Sequence, residues 1–208
     1  MQNQKTRTMV QLAFLVAIEL VMAFTPLGSL PIGPLVATLA HIPVVVAAVV
    51  MGTGAGAFMG FVFGLLSFLV WTFMPPTPLT AFCFTPAFAP GNFWSVVICF
   101  VPRILLGVIA GVLSKILLKV DKTKGFIAYT VSSVVATIAH TLMVLGGIYV
   151  FFGEAYAEAI GVGHELLMGL IGTTIATNGV LEAVLAGVVT CAIAKAVSAY
   201  GMKARRAS

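Results

Sequence analysis

A few polar side chains interrupt the long apolar stretches of this sequence, and they are the first candidates for chemistry. Arg103 lies inside the apolar run 92–119, and His140, Asn178 and Glu182 interrupt two later runs. Arginine offers a planar, always charged fork that suits a carboxylate or a phosphate. Histidine and asparagine offer neutral hydrogen bonds to amides and hydroxyls. These residue types favour a binding site for a small anionic or polar molecule.

Motifs for catalysis and for metal binding are incomplete. The stretch HELLM begins like an HExxH zinc site but has Met168 where the second histidine would stand. His41 and His140 have no histidine or cysteine at ligand spacing, and there is no GxSxG stretch. A GxxxxGK[ST] motif is also missing, so the chain cannot hydrolyse ATP by a P-loop. We therefore predict no catalytic residues, no metal site, no enzyme activity and no cofactor in this chain.

The composition indicates an integral membrane protein. Of the 208 residues, 61% are hydrophobic and only 8% are charged, and the mean hydropathy is +1.15. Such a chain has too little polar surface to cover a soluble globule. The net charge of +5 could suggest a nucleic-acid partner, but the charges form short clusters between apolar runs instead of one basic face. The expected surroundings are membrane lipid, and no nucleic acid.

Six apolar stretches are candidates to cross the membrane, since a spanning helix needs roughly 20 apolar residues. The first follows MQNQKTR, which resembles the basic start of a signal peptide, but no small-residue cleavage site stands out. We expect an all-α membrane protein, a compact six-transmembrane-helix bundle in a single membrane domain over 1–208. The predicted helices cover about 9–25, 35–51, 54–74, 93–118, 126–152 and 165–197.

The basic residues orient this bundle. With six crossings, one side of the membrane collects ten of the eleven basic residues, namely Lys5, Arg7, Lys115, Lys119, Lys122, Lys124, Lys195, Lys203, Arg205 and Arg206. The three loops on the other side contain no lysine or arginine. The positive-inside rule therefore predicts that both termini are cytoplasmic.

Counting along the helices places the interior polar residues at similar depths. At a rise of about 1.5 Å per residue, Arg103 lies roughly 15 Å below the outer surface and His140 roughly 21 Å above the inner one. Asn178 lies roughly 20 Å down the last helix, with Glu182 one turn deeper on the same face. The alternative is an internal ion pair between Arg103 and Glu182 or Glu19, with His140 and Asn178 bonded to backbone carbonyls. His41 is a weaker candidate, for which core packing is the simpler interpretation.

Three further patterns have a structural and a functional interpretation. The segment 75–92 is long, apolar and rich in proline and phenylalanine, and it is either a lid over a site or a connector packed on the helix ends. Glycines at spacing four along 52–64 indicate close packing of the third predicted helix. Ala13 and Ala17 form a weak AxxxA signal in the first predicted helix, for which packing within the bundle is the default.

The chain resembles the S components of energy-coupling factor (ECF) vitamin transporters. The segment HIPVVVAAVVMGTGAGAFMGFVFGLLSF contains the stretch that recurs in this family across helices 2 and 3, here Ile42, Pro43, Gly52, Gly56, Ala57 and Gly60. The combination of GNFWS, VPRILLGV and TNGVLEAVLAG further resembles the pantothenate-specific branch. The resemblance spans nearly the whole chain.

The resemblance implies a function in the bacterial cell membrane. S components bind a vitamin from outside and associate with a transmembrane coupling subunit and two ATPase subunits, which use the ATP. This association is thought to topple the S component so that its site faces the cytoplasm. The family assigns the AxxxA pair, here Ala13 and Ala17, to contact with the coupling subunit.

The resemblance also implies a substrate and its contacts. The family places the substrate among helices 4 to 6 and the loops after helices 1 and 3. For pantothenate, we expect the carboxylate to pair with Arg103, and the amide and hydroxyls to meet His140, Asn178 and Asn92, with Glu182 also in the site. The alternatives are an S component for another vitamin, such as riboflavin or folate, and a self-sufficient secondary carrier or channel.

Overall fold

The computed structural model describes residues 2–25, 28–32, 35–123 and 125–206. A five-residue π-helical turn, Ile175–Gly179, joins the last two helices, and a 3₁₀ helix, Pro78–Cys83, lies in the segment before α4. The elements in chain order are α1 Gln2–Ala23, β1 Ser29–Ile32, β2 Leu35–Thr38, α2 Ile42–Met51, α3 Thr53–Phe73, α4 Phe93–Leu117, α5 Phe126–Ala159, α6 His164–Thr174 and α7 Val180–Arg206.

Most of these helices are long and apolar enough to cross a membrane. Within the described ranges there are five such stretches: Thr6–Ala23, Thr53–Phe73, Phe93–Leu117, Phe126–Ala159 and His164–Ser198, the last running through the π turn. The remaining predicted crossing, the second in chain order, corresponds to α2, which has ten residues. A helix of this length rises about 15 Å, half the thickness of the bilayer core. The chain is thus a multi-pass helical membrane protein with one short apolar helix in its interior.

The predicted second helix over 35–51 is wrong at its start. Residues Leu35–Thr38 form a strand that pairs antiparallel with Ser29–Ile32, so a two-stranded hairpin accompanies the otherwise helical fold. Val36 and Thr38 are β-branched and suit a strand. The helix begins at Ile42 because Pro43 occupies its first turn, where a missing N–H costs nothing. Residues 26, 27, 33 and 34 of this predicted loop lie outside the described residues.

Three other predicted boundaries also differ. The helix predicted over 126–152 continues to Ala159, because Phe152, Tyr156 and Ala157 still face the core while Glu154 and Glu158 point outward. The helix predicted over 9–25 runs from Gln2 to Ala23 instead. The helix predicted over 165–197 runs from His164 to Arg206 and changes to π geometry in its middle. Amphipathic continuation beyond the apolar core explains the first of these differences.

Glycines bring α3 and α4 into backbone contact. A Cβ added to Gly60 would overlap the carbonyl oxygen of Arg103, and one added to Gly107 would overlap the backbone of Gly56. Gly111 approaches Thr53 in the same way. The predicted packing role of the glycines at spacing four is therefore seen directly, and it fixes the backbone of Arg103 against α3.

We expect Gly60→Ala to destabilise the protein. Overpacking of this kind costs typically about 1 to 3 kcal/mol, because the helices must separate to admit the methyl group. The measurement is the thermal unfolding midpoint of the purified protein in detergent. Gly146→Ala is the matched control, since a Cβ at that helical glycine meets no described atom within 4 Å. An equal midpoint for the two variants would contradict the tight contact between α3 and α4.

The segment between α3 and α4 packs inward. Phe82, Cys83 and Phe84 are buried in a cluster with Ile98 and Phe152. Burial also raises the pKa of the Cys83 thiol, which stays protonated. This apolar loop is therefore covered by protein, which explains its phenylalanine content.

Candidate binding site

A cavity of about 130 Å³ lies between α3, α4, α5, the π turn, α7 and the segment before α4. This volume is enough for several water molecules or part of a small organic molecule. Its walls include Arg103, His140, Asn178 and Glu182, four of the five residues proposed from the sequence as substrate contacts. The three residues predicted to lie at similar depths, Arg103, His140 and Asn178, therefore line one cavity together with Glu182.

Arg103 is held by the proline that precedes it. Pro102 has no N–H, so it cannot donate the helical hydrogen bond to the carbonyl of Ile98. Arg103 Nη1 donates to that carbonyl oxygen at 2.7 Å instead. The guanidinium carbon lies 5.6 Å from the ring centre of Phe63 and 5.2 Å from that of Phe84, within range for cation–π contact.

The N–H donors of Arg103 that do not bond to the Ile98 carbonyl make the site polar and positively charged. The side chain is only 6% exposed, yet Nε has no hydrogen-bond partner among the residues that the structure describes. Buried donors of this kind are costly unless something satisfies them. The arrangement is a charged group, oriented by two aromatic rings and one carbonyl, with capacity left for an anion.

His140 lies beside Arg103 on the wall formed by α5. Its ring is 6.2 Å from that of Phe63 and 6.4 Å from that of His41, which it stacks against. Within the described part of the chain, His140 Nε2 has no hydrogen-bond partner. His41 is buried at the start of α2, behind His140 and outside the cavity lining, as core packing requires.

The π turn rotates the following helix so that Glu182 faces the cavity. In α6 the buried residues are Leu167, Ile171 and Thr174, a spacing that would continue at 178 and 181, so Asn178 lies on the face that α6 already directs inward. From the last residue of the turn onward, the buried positions are 179, 182, 183, 186, 187 and 190 instead. The wide turn therefore acts as an insertion of one residue, and it rotates the following helix so that Glu182 faces inward.

Asn92 lies away from this cavity. Its Oδ1 accepts a hydrogen bond from the backbone N–H of Trp94 at 2.9 Å. The backbone N–H of Asn92 donates to Ser95 Oγ at 3.0 Å, so Asn92 caps α4. Ser95 Oγ in turn donates to the carbonyl of Phe82 at 2.6 Å and ties the preceding segment to the helix. Asn92 borders a separate surface depression, together with Tyr149 and His164.

The two carboxylates named as possible partners of Arg103 differ in position. Glu19 is fully buried in α1 and does not line the cavity. Neither of its carboxylate oxygens has a hydrogen-bond partner in the part of the chain that the structure describes. Glu182 lines the same cavity as Arg103 and lies within its electrostatic range. Of the two carboxylates, only Glu182 therefore shares the cavity with the guanidinium.

Several cavity residues could not be identified from the sequence. The segment between α3 and α4 contributes Thr77, Thr80 and Phe84, and Trp71 packs against Phe84 in a tilted arrangement with 4.5 Å between ring centres. Thr141 on α5 also lines the cavity. From the sequence, only the segment 75–92 as a whole could be singled out, because its apolar composition indicated contact with protein. Among the described residues, no three histidine, cysteine, aspartate or glutamate side chains are placed to hold a metal ion.

With the fold and cavity described, the chain can be compared with known proteins. Residues 7–194 match the family described as "ECF transporter, substrate-specific component". The chain therefore belongs to the family of ECF transporter substrate-specific components. This confirms the family predicted from the sequence, and it makes the protein a membrane component of a transporter and not an enzyme.

Relatives that match along most of their length include two transporters. The chain is 31% identical to the pantothenic acid transporter PanT of Lactococcus lactis subsp. cremoris, over 95% of this chain and 97% of the relative. It is 26% identical to the pantothenate transporter PanT of Leuconostoc mesenteroides subsp. mesenteroides, over 93% of each chain.

Two solved structures share the fold. One is ThiT from Listeria monocytogenes, with a TM-score of 0.59 and 22% identity over 93% of this chain and 96% of that one. The other is the S-component for biotin from an ECF-type ABC transporter, with a TM-score of 0.54 and 15% identity over 94% of both chains. At these identities the two structures support the fold alone.

Proposed function

We propose that this chain captures pantothenate outside a bacterial cell, as the substrate-binding S component of an ECF importer. The observation that carries the proposal is the buried Arg103 side chain, which lines the cavity with Nε unpaired among the described residues. A carboxylate suits this fork. His140, Asn178 and Glu182 offer hydrogen bonds to the amide and hydroxyls from the same cavity. The two full-length pantothenate relatives support this substrate over another vitamin.

In the proposed topology the chain crosses the membrane six times, with α2 as the short second crossing and both termini in the cytoplasm. The positive-inside rule supports this orientation, because the basic residues gather on one side. The cavity then opens toward the outside, and the segment 75–92 closes it as a lid. Thr77, Thr80 and Phe84 of that segment line the cavity, which suits a lid.

In the proposed transport cycle, partner subunits supply the energy for uptake. A transmembrane coupling subunit docks on α1, two ATPase subunits use ATP, and the S component topples to release the vitamin inside. Support comes from the surface of α1, where Ala13, Phe14 and Ala17 are exposed in one stretch. Two small residues one turn apart let another helix approach closely.

Ligand binding tests the proposed substrate. We expect the purified protein to bind pantothenate more tightly than riboflavin, folate, thiamine or biotin in isothermal titration calorimetry. The cavity offers the Arg103 guanidinium to the carboxylate and neutral hydrogen-bonding side chains to the amide and hydroxyls. Tighter binding of one of the other vitamins would overturn the substrate, and mass spectrometry of a co-purified ligand would identify the alternative.

Reconstitution tests the dependence on partners. We expect uptake of labelled pantothenate into liposomes only when the coupling subunit, the ATPases and ATP are present together with this chain. The chain contains no P-loop of its own. Uptake by the chain alone, driven by an ion gradient, would instead support a self-sufficient secondary carrier.

A further inference from the structure

Thr141 is a buried residue of the cavity wall, and the substrate contacts proposed above do not include its hydroxyl. The side chain is 9% exposed and lines the cavity on α5. Its Oγ1 has no hydrogen-bond partner in the described ranges of the chain. A hydroxyl can both donate and accept a hydrogen bond, so this one has capacity in both directions.

Several helical hydroxyls in this protein bond to their own backbone. Thr72, Ser133 and Thr174 each donate to the carbonyl four residues earlier, at 2.7, 2.6 and 2.8 Å. This is the ordinary way for serine or threonine to be satisfied inside an apolar helix. Thr141 does not make this bond to Thr137, although both lie on one face of α5. Its hydroxyl therefore stays available on the cavity wall.

A glycine of the π turn packs against the other branch of this side chain. A Cβ added to Gly179 would lie 3.3 Å from Cγ2 of Thr141, closer than an ordinary methyl contact. The Thr141 methyl group therefore fills the space that the glycine leaves open. The π turn thus affects Thr141 as well as Glu182.

The cavity has two chemically different walls. Arg103 is flanked by Phe63 of α3 and Phe84 of the preceding segment. Thr141 packs against the π turn, and Asn178 of this turn and Thr174, the last residue of α6, also line the cavity. Threonine and asparagine side chains are neutral and form hydrogen bonds with hydroxyls and amides. The first wall suits an anion, and the second suits the uncharged part of the same molecule.

We propose that Thr141 hydrogen-bonds the neutral, hydroxyl- and amide-bearing part of the substrate, while Arg103 holds its carboxylate. This inference rests on the proposed function and adds a specificity residue to it. Gly179 acts as a positioning residue, because its missing side chain lets Thr141 keep its rotamer. The substrate class is then a small carboxylic acid with hydroxyl or amide groups at its other end.

The test compares two ligands and two threonines. Panthenol, in which a primary alcohol replaces the carboxylate of pantothenate, separates the two walls. We expect Thr141→Val to raise the Kd for pantothenate and for panthenol by the same factor, about three- to tenfold, the range for one neutral hydrogen bond. Thr141→Ser keeps the hydroxyl and should remain within about twofold of the parent by the same reasoning.

Thr137→Val is the matched control. Thr137 lies one turn away on the same face of α5, and it is fully buried with its hydroxyl also unpaired among the described residues, but it does not line the cavity. We expect it to leave both Kd values unchanged. Thermal unfolding of each variant shows whether the fold is intact.

A second variant tests the same contact without removing the hydroxyl. Gly179→Ala should displace Thr141 and weaken binding, and Gly179→Ala combined with Thr141→Ser should restore it, because serine has no Cγ2 methyl group. Thr141→Val with parental affinity, or no rescue by serine, would overturn the role of Thr141 and leave the proposed function standing. Failure of the unaltered protein to bind pantothenate would overturn both.

Discussion

Arg103→Ala should weaken pantothenate binding tenfold or more. The Arg103 side chain is only 6% exposed, so water compensates poorly for a lost charge-assisted hydrogen bond. Such a contact is worth about 1.5 to 3 kcal/mol, and every 1.4 kcal/mol is a factor of ten in Kd. The measurement is isothermal titration calorimetry on purified protein, with thermal unfolding to verify that the fold persists.

Panthenol provides the ligand control for this prediction. It lacks the carboxylate, so the parent protein should bind it more weakly than pantothenate, and Arg103→Ala should bind the two ligands with similar affinity. Arg103→Lys should recover only part of the preference, because an ammonium group lacks the planar fork. A Kd for pantothenate within a few-fold of the parent in Arg103→Ala would contradict the assignment and favour an internal pairing of Arg103 with Glu182.

Replacing both Ala13 and Ala17 with tryptophan should abolish vitamin uptake in cells while leaving binding unchanged. Both alanines are exposed on α1, and neither lines the cavity. Two indoles at this spacing would keep a partner helix from approaching, because close helix contact in membranes depends on small residues. The measurements are uptake of labelled pantothenate in cells and calorimetry on the isolated protein.

A second pair of exposed alanines, on α7, provides a matched control for this prediction. Ala192 and Ala196 are exposed on α7 with the same spacing, so tryptophan at both positions adds equal bulk to another helix. We expect normal uptake from this variant. Loss of binding in the α1 variant would indicate a packing role within the bundle. Loss of uptake in the α7 variant alone would move the docking surface to that helix.

The boundaries of α3 and α4 could be predicted to within about one residue because local chemistry defines them. Gly52 has φ +101°, a conformation that side chains rarely adopt, and it separates α2 from α3. Asn92 accepts from the first turn of α4 and fixes its start. The start of α2 was mispredicted, since apolar β-branched residues serve a strand as well as a buried helix.

The sequence by itself determined that the chain is a helical membrane protein and which polar residues interrupt its apolar stretches. These properties depend on residue type, and a constant rise per residue was enough to predict similar depths for Arg103, His140 and Asn178, with Glu182 one turn deeper. Asn92 could not be separated from them, because a cap and a ligand contact need the same side chain.

Only the tertiary structure decided how the cavity is built. The lining depends on how the helices pack against one another. This packing places aromatic rings around Arg103 and the hydroxyl of Thr141 on the cavity wall, and it leaves Glu19 outside. The π turn changed the inward face of the last helix by one residue, and no local pattern in the sequence specifies that change. Side-chain direction results from packing between distant segments, and hydropathy read along one segment does not contain it.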